Sequence, residues 1–249
     1  CLEAMKGIVA LHPEAIAMKD RNGLTPLHWA LASKTQHSKA RELLDYFNND
    51  NGIAGVLLME EALLCTTNLG YTALHHACLS DASSDLIHDL VSCCNKSAST
   101  QRHGKTPLHM LIEYVRSKHT TMNTASLQTL INTYPQATRI TDNQGCTPLH
   151  YACYPHTNTD AFHLLLQHSF QALAITNTMG RTPLHCAAID NAPLSVIDAL
   201  VRSHPLALTR LDADGNSPLH LACREKTSPF VKSRLLVGAG EKILALENG

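Results

Sequence analysis

The chain contains few aromatic residues. They make up 4% of its 249 residues and include one tryptophan. Leucine, alanine and histidine are abundant instead, which favours thin, regular layers over one deep core. No apolar run approaches the roughly 20 residues that cross a bilayer, and the amino end carries no secretory signal. We therefore expect no membrane insertion.

The chain also lacks a block of charge of either sign, and its formal net charge is −1 at pH 7. A nucleic-acid-binding protein usually has a dominant basic face, and attachment to anionic lipids usually needs a polybasic segment. The balance of charge argues against both. We predict no nucleic-acid partner.

Nine cysteines could suggest disulfide bonds, but the number is odd and the chain is long. We interpret them as reduced thiols, which favours an intracellular protein, cytoplasmic or nuclear. The sequence begins at Cys1 instead of Met, so we interpret it as a mature form or an excised segment.

One four-residue motif occurs six times. Its copies are Thr25-Pro26-Leu27-His28, Thr72-Ala73-Leu74-His75, Thr106-Pro107-Leu108-His109, Thr147-Pro148-Leu149-His150, Thr182-Pro183-Leu184-His185 and Ser217-Pro218-Leu219-His220. They begin at 25, 72, 106, 147, 182 and 217, so their separations are 47, 34, 41, 35 and 35 residues. The sequence is therefore a repeat with a period near 35 and two insertions.

Each motif follows a turn signal. A glycine lies two residues before every copy (Gly23, Gly70, Gly104, Gly145, Gly180, Gly215), and four of these glycines have Asp or Asn three residues earlier (Asp20, Asp142, Asn177, Asp212). Such spacing is typical of a turn in which the Asx side chain binds nearby amides and glycine adopts a positive φ. Thr as N-cap and Pro at the first helical position then predict a helix start.

Two helices are predicted after each turn. The first is short and rich in small residues, and the second carries apolar pairs four residues apart, such as Val196-Ile197 with Leu200-Val201. This spacing gives one apolar face that must pack on a neighbouring layer. Adding the period to Val196 and Leu200 predicts that Val231 and Leu235 occupy the same positions in the last repeat.

Turn, Thr-Pro-Leu-His motif, paired helices and period together resemble the ankyrin-repeat family over nearly the whole chain. The resemblance implies an all-α solenoid of helix-turn-helix units joined by hairpin-like turns. We expect one array over residues 1–249, with a half repeat and turn in 1–24 and repeats beginning near 25, 72, 106, 147, 182 and 217. Residues 1–12 are expected to form a lone outer helix.

The sequence departs from the family in its connections. Pro-x-Ala follows the second helix at Pro13, Pro135 and Pro205, and Phe170-Gln171-Ala172 takes the same place without proline. Residues 95–102 lack this signature. Insertions occur around 48–52, where a polar loop is expected, and around 116–124. They either enlarge a binding face or are tolerated surface loops.

The many histidines and cysteines do not form a pattern typical of catalysis. The resemblance implies that the motif histidines are structural and bind the backbone that joins adjacent turns. Cys78, Cys153 and Cys223 share one repeat position, which is typical of a core filler. No thiol is paired with a base and an orienting group, and no glycine-rich phosphate loop is present. We predict no enzyme activity, no cofactor and no metal.

The resemblance implies binding of a protein partner, of unknown identity, on a concave face of turn tips and inner helices, with the chain monomeric. Our candidate contact residues are Tyr71, Lys105, Tyr114, Tyr154, Arg181, Arg224 and Glu225, with the tip pairs Arg21-Asn22, Arg102-His103, Asn143-Gln144, Thr178-Met179 and Ala213-Asp214. Tyr and Arg are enriched at binding hot spots.

Two alternatives remain open at this point. The array can be the targeting or regulatory segment of a larger enzyme or channel. The cysteines can instead serve a redox or metal sensor.

Overall fold

The computed structural model describes residues 11–32, 36–50, 52–118, 123–225 and 227–247, with side chains omitted at 47–50, 52–54 and 241–247. The lone outer helix expected in residues 1–12 lies almost wholly outside this range. The described α-helices are α1 (Pro26–Leu31), α2 (His37–Asp50), α3 (Gly52–Leu64), α4 (Ala73–Leu79), α5 (Ser84–Cys93), α6 (Pro107–Lys118), α7 (Thr124–Thr133), α8 (Pro148–Ala152), α9 (Thr159–His168), α10 (Pro183–Ile189), α11 (Leu194–Ser203), α12 (Pro218–Arg224) and α13 (Pro229–Glu247). The predicted all-α class is confirmed.

Two compact units make up the chain. Unit 1 comprises residues 1–114 and 125–135, and unit 2 comprises residues 115–124 and 136–249. Within unit 1, α1 packs on α4, and α2 packs on α5. Within unit 2, α10 packs on α8 and α12, while α11 packs on α9 and α13. In each unit, therefore, an inner helix stacks on inner helices and an outer helix on outer helices.

The cores of these layers contain the predicted apolar pairs. Val196, Ile197 and Leu200 are at most 1% exposed. Val231 and Leu235, which the period alone placed in the last repeat, are 2% and 0% exposed. The repeat register predicted from the sequence is thus confirmed as far as Leu235.

The prediction of a polar loop around residues 48–52 is wrong, because helices occupy most of this segment. Helix α2 continues to Asp50 and α3 begins at Gly52, so that the break between them is much shorter than expected. Asn and Asp lower helix propensity by only a few tenths of a kcal/mol each. The packing of α2 and α3 on each other outweighs that cost.

Short 3₁₀ helices form the connections after the outer helices. They span Pro13–Ala17, Asn95–Ser99, Pro135–Arg139, Phe170–Ala174 and Pro205–Leu208. The alanine of the Pro-x-Ala signature is buried at Ala137, Ala172 and Ala207. The Asn95–Ser99 segment forms the same connection without the signature, because Ser97 is buried and its hydroxyl donates to the Cys94 carbonyl at 2.6 Å.

The turn of the third repeat differs from the others. Arg102 and Lys105 pair through both backbone groups, and the two residues between them, His103 and Gly104, have φ of 51° and 78°. This is a two-residue hairpin with both central residues at positive φ. The other turns close over three residues, as where the Asp20 amide donates to the Leu24 carbonyl at 2.9 Å.

Each motif histidine makes the same hydrogen bonds to its own helix start. Its Nδ1 accepts from the amide of the motif Thr or Ser at 3.1–3.3 Å in all six repeats. Because an amide can only donate, Nδ1 is unprotonated and the ring proton is on Nε2. In four repeats this Nε2 donates to a carbonyl of the next turn at 3.1–3.3 Å, namely His28 to Tyr71, His75 to Lys105, His150 to Arg181 and His185 to Asn216.

Backbone bonds between turn tips accompany the histidines. The Asn68 amide donates to the Asn22 carbonyl in unit 1, and the Thr178 amide donates to the Gln144 carbonyl in unit 2, both at 2.9 Å. The structural role implied for His28, His75, His150 and His185 is therefore present at each of these positions.

Because these histidines are buried and neutral, we predict that the free energy of unfolding decreases at acidic pH. Burial lowers the pKa of His28, His75 and His150 from 6.5 to about 4. The folded state then binds fewer protons than the unfolded state between about pH 6.5 and pH 4, so stability is full above this window and falls as the pH falls through it. Each histidine contributes a slope of up to about 1.4 kcal/mol per pH unit.

We expect the urea midpoint of the whole chain to fall steadily between pH 7 and pH 5. His150→Gln should be less stable at pH 7 but should show a shallower pH dependence, because one titrating group has been removed. A midpoint that stays constant over this window would contradict the neutral state of the histidines.

Two turn glycines of unit 2 provide a matched test of the close approach between turns. Gly180 and Gly215 have similar φ of 71° and 79°, but a Cβ at Gly180 would lie 2.8 Å from the Ala213 nitrogen, whereas a Cβ at Gly215 meets nothing within 4 Å. Gly215→Ala should cost about 1–2 kcal/mol for the left-handed backbone. Gly180→Ala should cost about 1–3 kcal/mol more because the next turn must move. Chemical denaturation measures both, and equal losses would show that the turns tolerate separation.

Candidate functional site

Trp29 presents the largest exposed ring on the inner helices of unit 1. It follows the motif histidine in α1, and its side chain is 53% exposed. The indole nitrogen donates to Asp20 Oδ2 at 3.1 Å, while Asp20 Oδ1 accepts from the amides of Leu24 and Asn22 at 2.9 and 2.8 Å. These bonds, the one from Leu24 above all, lower the Asp20 pKa. An ionised, fixed carboxylate thus orients the exposed ring.

Sequence analysis did not select Trp29 as a contact residue. Other inner helices carry Met110, Tyr151, Cys186 or Leu221 at this position, so the tryptophan was grouped with the helix framework. The one available signal was that it is the only tryptophan in a chain poor in aromatic residues.

Tyr71, a predicted contact residue, is partly exposed and held on two sides. The Arg102 guanidinium lies 4.0 Å from the centre of the Tyr71 ring, a cation–π contact. Arg102 is itself fixed, because its Nε donates to the Leu69 carbonyl at 2.6 Å. The His76 ring meets Tyr71 edge-on at 5.5 Å between centres. Tyr71 therefore needs little ordering when a ligand binds.

The other predicted residues of unit 1 are less available. The Lys105 ammonium donates to both Glu113 carboxylate oxygens at 2.8 Å, and its side chain is 17% exposed. Its charge is therefore neutralised locally. Tyr114 is partly exposed near the end of α6.

In unit 2 the predicted residues divide into buried and exposed ones. Tyr154 is 1% exposed, so it packs in the interior and offers no accessible surface. The Arg181 side chain is 17% exposed, and its Nε lies 3.3 Å from Asp212 Oδ2. Arg224 and Glu225 are 57% and 43% exposed and form a pair at 3.5 Å.

The pair of Arg181 and Asp212 fixes one turn of unit 2 to the next. Burial raises the Asp212 pKa, but hydrogen bonds from Asn216 and Arg181 outweigh it, so the pKa is lowered overall. Arg181 is thus engaged in the framework, and its substitution would disturb folding as well as any surface.

The second insertion lengthens an inner helix. Helix α6 has 12 residues, whereas α8 and α10 have 5 and 7. Arg116, in the part of α6 that belongs to unit 2, pairs with Asp190 at 2.7 Å. Burial raises the Asp190 pKa more than Arg116 lowers it. The extended helix therefore supplies a cation to a partly buried carboxylate 74 residues away.

The described cysteines differ in their exposure, and four of the eight (Cys78, Cys94, Cys146 and Cys153) are buried. Burial raises the pKa of Cys78 and of Cys186 to about 12, which disfavours the reactive thiolate. The core position predicted for Cys223 is wrong, because Cys223 is exposed, whereas Cys78 and Cys153 at the same repeat position are buried. Within the described ranges, no three His, Cys, Asp or Glu side chains are grouped so as to hold a metal ion. No helix in that part of the chain is long and apolar enough to cross a membrane.

The pair of Arg116 and Asp190 can be tested by a double-mutant cycle with Arg116→Ala and Asp190→Ala. The two side chains are 38% and 26% exposed, so we expect a coupling energy of about 1 kcal/mol in denaturation experiments. The exposed neighbours Arg224 and Glu225 are the control, with a coupling near zero. Equal coupling energies in the two cycles would contradict the conclusion that the ion pair of Arg116 and Asp190 stabilises the fold.

Comparisons with known proteins agree with this geometry. A family model described as "Ankyrin repeats (3 copies)" matches residues 120–207 and 157–244, which together span half of the chain. A search of curated proteins gives no match.

The solved structures that are similar to the chain include the following two. One is titled as the predatory endopeptidase Bd0816 from Bdellovibrio bacteriovorus in complex with the immunity protein Bd3460 (TM-score 0.63, 18% identity, 88% of this chain and 98% of that chain covered). The other is the ankyrin repeat domain of Bcl-3, titled a unique member of the IkappaB protein family (TM-score 0.65, 21% identity, 94% and 92% covered). At these identities the likeness concerns the fold.

Proposed function

The chain belongs to the ankyrin-repeat family, and from this premise we propose that it is a non-catalytic scaffold that binds a partner protein through turn tips and inner helices. Ankyrin repeats are generally protein–protein interaction modules. By their titles, one similar structure is a protein complex and the other a member of the IkappaB family. The partners of those two proteins are their own and do not identify the partner of this chain.

The observation that carries the proposal is the exposed, oriented aromatic pair of unit 1. Trp29 is 53% exposed although its indole nitrogen is hydrogen-bonded, and Tyr71 is fixed by Arg102. Rigid aromatic side chains with exposed faces lose little conformational entropy on binding, and Trp and Tyr are enriched at hot spots. Neither ring is needed to fill the core, where aliphatic side chains predominate.

The framework supports the same interpretation. Folding uses the motif Thr and His together with the turn backbone, as in Thr25 and His28. The side chains at the tips and at the ends of the inner helices, such as Arg224 and Glu225, are left to vary without loss of the repeat. We propose these positions as the remaining contacts, and we leave out Tyr154 because it is buried.

The proposal predicts which substitutions abolish partner capture. Trp29→Ala and Arg224→Glu alter exposed side chains of inner helices, so each should leave folding intact and reduce the recovery of specific partners at least about tenfold if it removes a hot spot. The measurement is quantitative mass spectrometry of proteins captured by the immobilised full chain.

Phe170→Ala and Leu206→Ala are the matched controls. These side chains are 70% and 57% exposed but lie on the connections after the outer helices. They should retain every partner. If the inner-helix variants retain all partners, or the connection variants lose them, the proposed surface is the wrong one.

A further inference from the structure

The turns of the two units differ in charge. The four-residue turns of unit 1 (20–23, 67–70 and 101–104) contain Arg21 and Arg102 against one carboxylate, Asp20. Those of unit 2 (142–145, 177–180 and 212–215) contain three carboxylates, Asp142, Asp212 and Asp214, and neither Lys nor Arg. The turns of unit 1 therefore carry a net charge of +1 and those of unit 2 a net charge of −3, although unit 1 as a whole contains 9 Lys and Arg against 12 Asp and Glu. The positive charge of unit 1 is a property of its turns and not of the whole unit.

The arginines in the turns of unit 1 remain available to a ligand. Asp20, the one carboxylate in these turns, is already hydrogen-bonded. Both oxygens of Asp20 accept hydrogen bonds from its own turn and from Trp29. Arg21 is exposed. The Arg102 guanidinium stacks on the Tyr71 ring, and among the described residues its hydrogen bonds involve Nε alone. Guanidinium groups bind carboxylates through two parallel hydrogen bonds. The terminal nitrogens of Arg21 and Arg102 are suited to that role.

Hydrogen bonds connect the turns that carry these cations, and two of the bonds are made by the cationic groups of Arg102 and Lys19. The Asn68 side chain donates to the Arg21 carbonyl at 2.9 Å, and Arg102 donates to the Leu69 carbonyl of the same middle turn. The Lys19 ammonium donates to the Thr66 carbonyl at 2.8 Å. We define Lys19, Arg21 and Arg102 as the basic ridge, with Trp29 and Tyr71 bordering it.

The length of the basic ridge fits a short extended peptide. Packed helices lie about 8–10 Å apart, so three successive turns span about 20 Å. An extended chain advances about 3.3–3.6 Å per residue, and about six residues therefore cover the ridge. The basic ridge is too sparse in charge for nucleic acid, which carries a charge about every 1.7 Å along the duplex.

We propose that the basic ridge of unit 1 binds an extended acidic segment of a partner protein. Carboxylates of the segment pair with the guanidinium groups of Arg21 and Arg102, and an apolar side chain packs on the exposed face of Trp29. The proposal rests on the proposed function and adds to it the chemistry of the partner.

Trp29 reports this binding directly, because it is the only tryptophan. The probe is a synthetic octapeptide of glutamate and leucine with blocked ends, titrated into the full chain while tryptophan fluorescence is followed. We expect a saturable change in fluorescence that weakens as salt is added. The same peptide with glutamine in place of glutamate should bind at least about tenfold more weakly, since it lacks the charge.

Arg21→Glu tests the ridge in the full chain. It should weaken binding of the acidic peptide at least about tenfold, and circular dichroism should show that folding is retained. Arg210→Glu is the matched control, since Arg210 is exposed beside the last turn of unit 2 and its reversal should leave the affinity unchanged. Equal affinities for the chain and Arg21→Glu would overturn the proposal.

Two further results would also overturn it. One is tighter binding by a single-stranded oligonucleotide of equal charge, lost in Arg21→Glu, which would make the ridge a nucleic-acid site. The other is a change in Trp29 fluorescence on concentrating the chain alone, which would make the acidic turns of a second copy the occupant.

The two proposals fail in different ways. If the acidic peptide does not bind but Trp29→Ala still loses captured partners, the acidic chemistry is wrong and the scaffold function stands. If the peptide binds but Trp29→Ala loses no captured partner, the ridge has the stated affinity and the proposed partner surface is wrong.

Discussion

A neutral histidine that makes hydrogen bonds on both sides of its ring, present in four of the repeats, is the interaction on which the structure depends. At one side its ring accepts from the amide that starts its own helix, and at the other it donates to a carbonyl of the next turn, as His150 does with Thr147 and Arg181. One ring therefore satisfies a buried donor and a buried acceptor that belong to different repeats. Leaving either group without a partner would cost about 1–3 kcal/mol. Helix capping and the stacking of repeats are thus coupled at a single side chain.

This coupling explains why the framework could be predicted from the sequence, whereas the exposure of individual surface residues could not. The motif residues and the apolar pairs act within one repeat or between neighbours, so a period near 35 was enough to place Val231 and Leu235 in the core. The availability of a contact residue depends on distant partners. Arg181 is engaged by Asp212, and Asp190 is paired with Arg116, 74 residues earlier. No local pattern contains that information.

Two further features of the structure could not be read from the repeat pattern. Trp29 stands at a position that the repeat treats as framework, and only its bond to Asp20 and its exposure distinguish it. The loop expected around residues 48–52 followed from local composition, whereas packing between α2 and α3 determines where the helices end. At residues 48–52 the tertiary contact outweighs a helix preference of a few tenths of a kcal/mol per residue.

Most polar groups of the repeat framework are hydrogen-bonded within the framework. Binding of a partner therefore depends on the side chains that these hydrogen bonds do not involve. Asp20 belongs to the framework, because its carboxylate holds a turn and the Trp29 ring. Arg21, the next residue, contributes only its carbonyl to the neighbouring turn. Among the described residues no carboxylate pairs with the Arg21 guanidinium, and the Arg102 guanidinium is held by the Tyr71 ring and the Leu69 carbonyl instead of by a carboxylate. The charge at the turn tips therefore differs between two units that share one architecture. The charge of each turn can then determine which partner binds, without changing the hydrogen bonds that stabilise the fold.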